Sequence, residues 1–231
     1  MDQPELAAAP PDLVLAPQVS GGAVSSGRIR KGVWAYVAKR SKFITPAQID
    51  WAIDLMKAAA TAHGVTTMVV GGVAMQAYGS PRLTKDIDFV VDAEFERPQR
   101  MTVLGPINFG GQAWIAADGT RINVILRSDD YRPLYEEALS NHVVSEDGVP
   151  LVSPEYLAAL EFAANEPKHL LDLQWLLKQP GLVDRDKVSN IIHRHVGQRF
   201  GVETFGRLVD QVDLDLRRRR PGGAADPTEY P

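Results

Sequence analysis

The stretch VVGGVAMQAYGSPRLTKDIDFVV, residues 69–91, does most to limit what this chain can fold into. Two apolar runs in it are separated by a glycine pair, a short polar segment and two aspartates flanking one isoleucine. The first run closes VTTMVV (65–70), which its β-branched content predicts as a strand. VAMQAY predicts a short helix closed by Gly79, and DIDFVV predicts the next strand, residues 86–91. Alternate strand side chains share a face, so Asp86 and Asp88 stand together about 6.5 Å apart along the strand. Ile87 and Phe89 point the other way, where a core can take them. Two carboxylates so placed repel unless a cation lies between them, and either is costly to bury unpaired. Hard oxygen donors suit Mg²⁺, which takes one or two carboxylates together with substrate phosphates. Gly71 and Gly72 fall at the strand-to-helix turn, where backbone amides can approach an anion. Each motif alone is also compatible with a purely structural role, since Gly-Gly occurs in tight turns and Asp-x-Asp at exposed strand ends. The stretch has neither G-x-G-x-x-G nor G-K-[ST], so dinucleotide and Walker loops are unsupported.

The rest of the chain frames this stretch. TPAQIDWAIDLMKAAATAHG predicts a helix with Thr45 as cap, Pro46 in the first turn and Gly64 as its end, and Ile49, Ile53, Met56 and Ala60 on one face. QAWIAA and RINVIL are strand candidates joined by the turn DGT. PLYEEALSN reads as helical and VPLVS as a last strand. From SPEYLAALEFAAN, with Ser153 as its cap, the pattern becomes helical through KHLLDLQWLLK, RDKVSNIIHRHVG and VETFGRLVDQVDLDLRRRR. The expected organisation is a disordered leader at 1–27, a basic and aromatic arm at 28–44, an α/β core at 45–152, a helical region at 153–220 and a disordered tail at 221–231. The arm reads as a solvated basic segment pinned by Trp34 and Tyr36, with RNA binding as the alternative. The basic run at 216–220 complements a helix C-terminus and has RNA or a partner as its alternative reading. No residue is cysteine, which excludes disulfides and thiolate zinc sites. Net charge is -4, so no overall basic field advertises nucleic acid. No apolar run approaches membrane-spanning length, and the start lacks a secretory pattern, so a soluble, cytoplasmic protein without membrane partners is expected.

Gly71, Gly72, Ala74, Gly79, Arg82, Thr84, Asp86, Ile87 and Asp88 together resemble the signature of the nucleotidyltransferase superfamily. Within it they are most similar to the bacterial branch that contains the AbiEii-type toxins of type IV toxin–antitoxin systems. The resemblance covers residues 46 to about 180, and its specific part is this first motif. It implies an α+β fold, a small mixed β-sheet core with a helical C-terminal region. It also implies Mg²⁺-dependent transfer of a nucleoside monophosphate from an NTP to a hydroxyl on an RNA end, a protein or a small molecule, with a cognate antitoxin as a further partner. On that resemblance Gly71, Gly72, Arg82, Thr84 and Lys168 bind nucleotide, Asp86, Asp88 and Asn123 hold metal, and Asp86, Asp88 and Asp172 are catalytic.

The chain departs from the family pattern in two places. Asn123 in RINVIL stands where a third carboxylate is expected, and an amide is neutral and a poor base; Asp118, Asp129 and Asp130 are nearby substitutes. In LAALEFAANEPKHLLDL, Leu157, Ala163, Lys168, Asp172 and Leu173 fit. Glu161 stands where lysine is common, Glu166 where arginine is common and His169 where aspartate is common. His169 could serve as an acceptor-side base or simply pack. Lys168 and Asp172, four apart on a helix, could form a surface ion pair. His193 and His195 face different ways and suggest no metal. The departures define an alternative: a nucleotidyltransferase-fold protein with lost catalysis that binds a nucleotide or a partner.

Overall fold

The computed structural model describes residues 43–218; the expected leader, nearly all of the basic arm, and the tail lie outside the described residues. The first helix, α1 (Pro46–His63), is fixed at both ends by the groups the sequence supplies. The Thr45 hydroxyl accepts the Gln48 backbone N–H at 3.3 Å, and the Gln48 side-chain Oε1 accepts the Thr45 backbone N–H at 2.9 Å. Gly64 ends the helix at φ 66, a left-handed conformation that costs glycine little. Ile49, Ile53, Met56 and Ala60 are all buried along one stripe.

Seven strands form a single mixed sheet. The elements run β1 (Thr67–Val70), α2 (Gly71–Ala77), β2 (Ile87–Val91), β3 (Met101–Pro106), β4 (Gln112–Ala116), β5 (Arg121–Ile125), α3 (Arg132–Ser140), β6 (Val143–Val144) and β7 (Pro150–Leu151). The strand order is β3-β4-β5-β2-β1-β7-β6. β2 is antiparallel to β1 and parallel to β5, and β1 is parallel to β7. Register sorts the side chains. Ile87, Phe89, Ile122 and Val124 are buried, and between them along the strands come Asp88 and Asn123, which are direct neighbours across β2 and β5. Phe95 links the first helix to the sheet, its ring 5.9 Å from His63 and 5.7 Å from Trp114.

The remaining helices are α4 (Pro154–Ala164), α5 (Pro167–Lys178), α6 (Arg185–His195) and α7 (Glu203–Arg218), with a π-helical turn at Gln198–Val202 before the last. α5 and α6 pack on α4, and α7 packs on α5. Glu137 of α3 ties three helices together. It accepts from Tyr156 of α4 at 2.6 Å, and from Arg194 and His195 of α6. The fold is therefore α+β, a mixed sheet followed by helices.

Several local expectations change. α2 starts at Gly71, so the glycine pair is its first turn rather than a loop before it. β3 and β6 were not foreseen. Gly105 and Pro106 make the β3 segment look like a loop, and the register shift between Val103 and Gly105 accommodates them as a bulge. Ser153 occupies the N-cap position of α4, but its hydroxyl makes no cap bond. No helix among the described residues is long and apolar enough to cross a membrane.

Candidate functional site

Three backbone segments converge on one cleft of about 520 Å³: the β1–α2 turn, the β2–β5 pair and the α4–α5 junction. The parallel pairing puts Asp88 directly opposite Asn123, and the antiparallel pairing puts it opposite Val70, the residue before the glycines. Both glycines are demanded by close approach. A Cβ on Gly71, which has φ +60, would lie 2.4 Å from Asp88 Oδ2. A Cβ on Gly72 would lie 2.6 Å from Thr84 Oγ1 and 3.1 Å from Arg82 Nη1. The glycine turn and the aspartate strand are thus one packing unit, which explains why they occur together.

The Asn123 amide organises the two carboxylates. Its Nδ2 donates to Asp88 Oδ1 at 2.7 Å and to Asp86 Oδ2 at 3.3 Å. Thr84 Oγ1 donates nearby, 3.1 Å from the Asp86 carbonyl oxygen and 3.3 Å from its Oδ1. Burial pushes the Asp88 carboxyl up to about 6; Asp86 adds to the rise, while the Asn123 hydrogen bond, Lys168 and Arg82 oppose it. This is the electrostatic condition in which a cation between the carboxylates is favourable.

Most of the residues singled out from sequence meet here. Gly71, Gly72, Arg82, Asp86, Asp88, Asn123 and Lys168 all line the cleft. Thr84 is buried behind it, with its hydroxyl turned to Asp86. Asp172 is also buried and lies outside the lining, where its Oδ2 is 3.0 Å from Arg82 Nη1. The pairing of Asp172 is therefore with Arg82 from the α2–β2 connection rather than with Lys168 one turn away. Burial raises the Asp172 carboxyl to about 6 against the pull of Arg82. Asp118 accepts the Thr120 N–H at 2.9 Å in the β4–β5 turn, and Asp130 is exposed.

No family model matches this chain. Its sequence has no match among curated proteins either. Solved structures with a similar arrangement include an antigenic nucleotidyltransferase-like protein from Paracoccidioides brasiliensis, at a TM-score of 0.49 and 13% identity over 76% of this chain and 93% of that one. The antibiotic-resistance factor ANT(2'')-Ia gives 0.40 and 14%, over 73% of this chain and 98% of its own. The CCA-adding enzyme from Thermotoga maritima, solved with tRNA, gives 0.36 and 12%, over 78% of this chain and 54% of its own. All three fall below a TM-score of one half, too distant to transfer an activity.

The structure adds residues that the sequence reading did not single out, grouped around Asp129, which that reading named as a substitute carboxylate. Arg127, beyond the end of β5, holds Asp129 in a two-point contact at 2.8 and 2.9 Å. Its guanidinium lies 4.3 Å from the Phe109 ring centre and 4.6 Å from that of Tyr135, with Tyr131 at 5.6 Å. All five line the cleft, and the three rings of Phe109, Tyr131 and Tyr135 gather around the Arg127 guanidinium. Only the wide sequence spacing hid them: Phe109 comes from the β3–β4 turn and Tyr135 from α3. Glu161, noted as a departure, and His169, noted as a departure and as an acceptor-side base candidate, also line the cleft.

Proposed function

We propose that this protein is a Mg²⁺-dependent nucleotidyltransferase that moves a nucleoside monophosphate from an NTP to a hydroxyl. The observation that carries this reading is the cluster of Asp88 and Asn123 on adjacent parallel strands with Asp86 just before β2, Asp88 packed against Gly71, all in an open cleft. The donor set fits the ion: two carboxylates with strong mutual repulsion, and an amide whose oxygen can replace its nitrogen by a side-chain flip. Asp86 and Asp88 would hold Mg²⁺ with Asn123 beside them. Bound there, the ion supplies charge neutralisation at the phosphates. Gly71, Gly72, Arg82 and Lys168 face the same cleft and would bind the triphosphate, with Thr84 fixing Asp86 and Asp172 fixing Arg82. The sequence resemblance supports an RNA end, a protein hydroxyl or a small molecule as acceptor, and a toxin role with a cognate antitoxin.

Calorimetric titration tests the site. NTP binding should need Mg²⁺ and should vanish in a folded Asp86→Asn, Asp88→Asn variant. Growth arrest on induction in a bacterial host, relieved by the same double substitution, tests the toxin role. A second reading is a nucleotide-binding module without turnover. The Asn123 amide favours it, because it satisfies both carboxylates without a metal. Tight Mg²⁺-dependent NTP binding with no transferred label from any NTP would select that reading.

A further inference from the structure

Glu161 and His169 lie on different helices and touch. Asn165, at φ 49, makes the left-handed bend that turns the end of α4 into α5 and brings the two together. His169 Nδ1 is hydrogen-bonded directly to Glu161 Oε2. The Glu161 side chain is 4% exposed and that of His169 is 24% exposed, so the carboxylate is the buried partner and the ring is the one solvent reaches. An ionised carboxylate only accepts, so it holds the proton on Nδ1 and leaves the Nε2 lone pair of the neutral ring available. The exposed Glu166 carboxylate lies 3.9 Å from Nε2. His169 and Glu161 line the same cleft as Asp86 and Asp88.

Glu161, His169 and Asp172 also form a group whose ligand atoms lie within 4.8 Å of one another. A metal does not explain it. Ligands sharing an ion stand apart around it, whereas Glu161 meets the ring directly and Asp172 faces the Arg82 guanidinium. The arrangement is that of a base held in one tautomer by a buried acid.

We propose that His169 is the general base for the acceptor hydroxyl, positioned by Glu161, in place of the carboxylate that Asn123 does not supply; this rests on the nucleotidyltransferase reading. His169 Nε2 takes the hydroxyl proton as the acceptor oxygen forms its bond to the α-phosphorus. The bond from that phosphorus to the bridging oxygen breaks, and pyrophosphate leaves with the electron pair. The imidazolium then returns its proton to water. The groups around the ring are Glu161 from α4, Glu166 from the junction, and Lys168 and Asp172 from α5, with Arg82 beyond Asp172.

The test uses the full chain with each α-labelled NTP, Mg²⁺ and total RNA, alongside pyrophosphate release and calorimetric binding of Mg²⁺ with each NTP. His169→Ala should lower turnover by about 10²-fold or more, the ordinary range for losing a general base, while binding stays within about twofold. Added imidazole should restore part of the rate to this variant and none to the parent. Glu161→Gln should lower turnover and shift the ring to the Nε2–H tautomer in long-range ¹H–¹⁵N spectra, where the parent shows Nδ1–H. Unchanged turnover in His169→Ala, or a loss that imidazole does not restore in a folded, nucleotide-binding variant, overturns the base and leaves the pair structural. A parent that binds Mg²⁺ and NTP but moves no label and releases no pyrophosphate overturns the transferase reading, and the base with it.

Discussion

Replacing Asn123 by aspartate separates a metal site from a hydrogen-bonded amide cluster. In the metal-free protein Asn123→Asp removes the donor that lies 2.7 Å from Asp88 and 3.3 Å from Asp86. A hydrogen bond to a charged group contributes about 1.5–3 kcal/mol. The new carboxylate also repels its neighbours, by about 4 kcal/mol per pair at 4 Å in a medium of effective dielectric 20. Proton uptake limits that repulsion. With Asp88 already titrating at about 6, holding one proton at neutral pH costs about 1.4 kcal/mol. The net loss of metal-free stability is then about 3–4 kcal/mol. For a chain of this size that lowers Tm by roughly 5–15 °C. Mg²⁺ should reverse the effect, since a third carboxylate strengthens an oxygen site. Scanning calorimetry in chelator and across a Mg²⁺ titration reads both. The expected result is a destabilised metal-free variant whose Tm rises more steeply with Mg²⁺ than the parent's, together with faster transfer. A variant as stable as the parent in chelator, or an equal response to Mg²⁺, would refute the reasoning.

Three other outcomes follow from the geometry. Gly72→Ala should cost about 1–3 kcal/mol in urea unfolding, because its Cβ would press on Thr84 at the 2.6 Å contact. Mg²⁺ affinity should fall as pH drops through about 6, because the Asp88 proton competes for the site; without metal, the same raised carboxyl favours the folded state as pH falls from about 6 towards 3.8 and gives no such gain above 6. Isothermal titration at several pH values checks the first part, and metal-free unfolding midpoints the second. At Glu137, burial works against ionisation, but hydrogen bonds from Tyr156, Arg194 and His195 outweigh it and hold the carboxyl down at about 2. Its stabilisation is complete above about 4.5 and lost as pH falls towards about 2, so Glu137→Gln should flatten the acid limb of the stability curve.

The legible part of the site was the part that is local in sequence. Asp86 and Asp88 share a face because strands alternate, and the glycine pair lies one strand away, so twenty residues carry both motifs. Periodicity also places the stripe of α1 and the buried Ile87 and Phe89. What stayed hidden depends on tertiary approach. Nothing local says that Asn123 faces Asp88, because that needs the parallel β2–β5 pairing. Asp172 looks like a partner for Lys168 on helical spacing, yet Arg82 reaches it from a segment 90 residues earlier. β3 was masked by Gly105 and Pro106, which weaken strand propensity but are tolerated at an edge with a bulge. Glu161 read as a loss of family character and His169 as a base or a packed side chain, and only their contact across the Asn165 bend gives them a joint role.

Label position in the NTP tests the central claim most directly. Each NTP is supplied once with label on the α-phosphorus and once on the γ-phosphorus, with Mg²⁺, total RNA and the purified chain. The account predicts that α-label becomes covalently attached to an acceptor and γ-label leaves as pyrophosphate. It also predicts that both are lost in the folded Asp86→Asn, Asp88→Asn variant. Absence of α-label transfer with all four NTPs, or transfer that survives the double substitution, would contradict it.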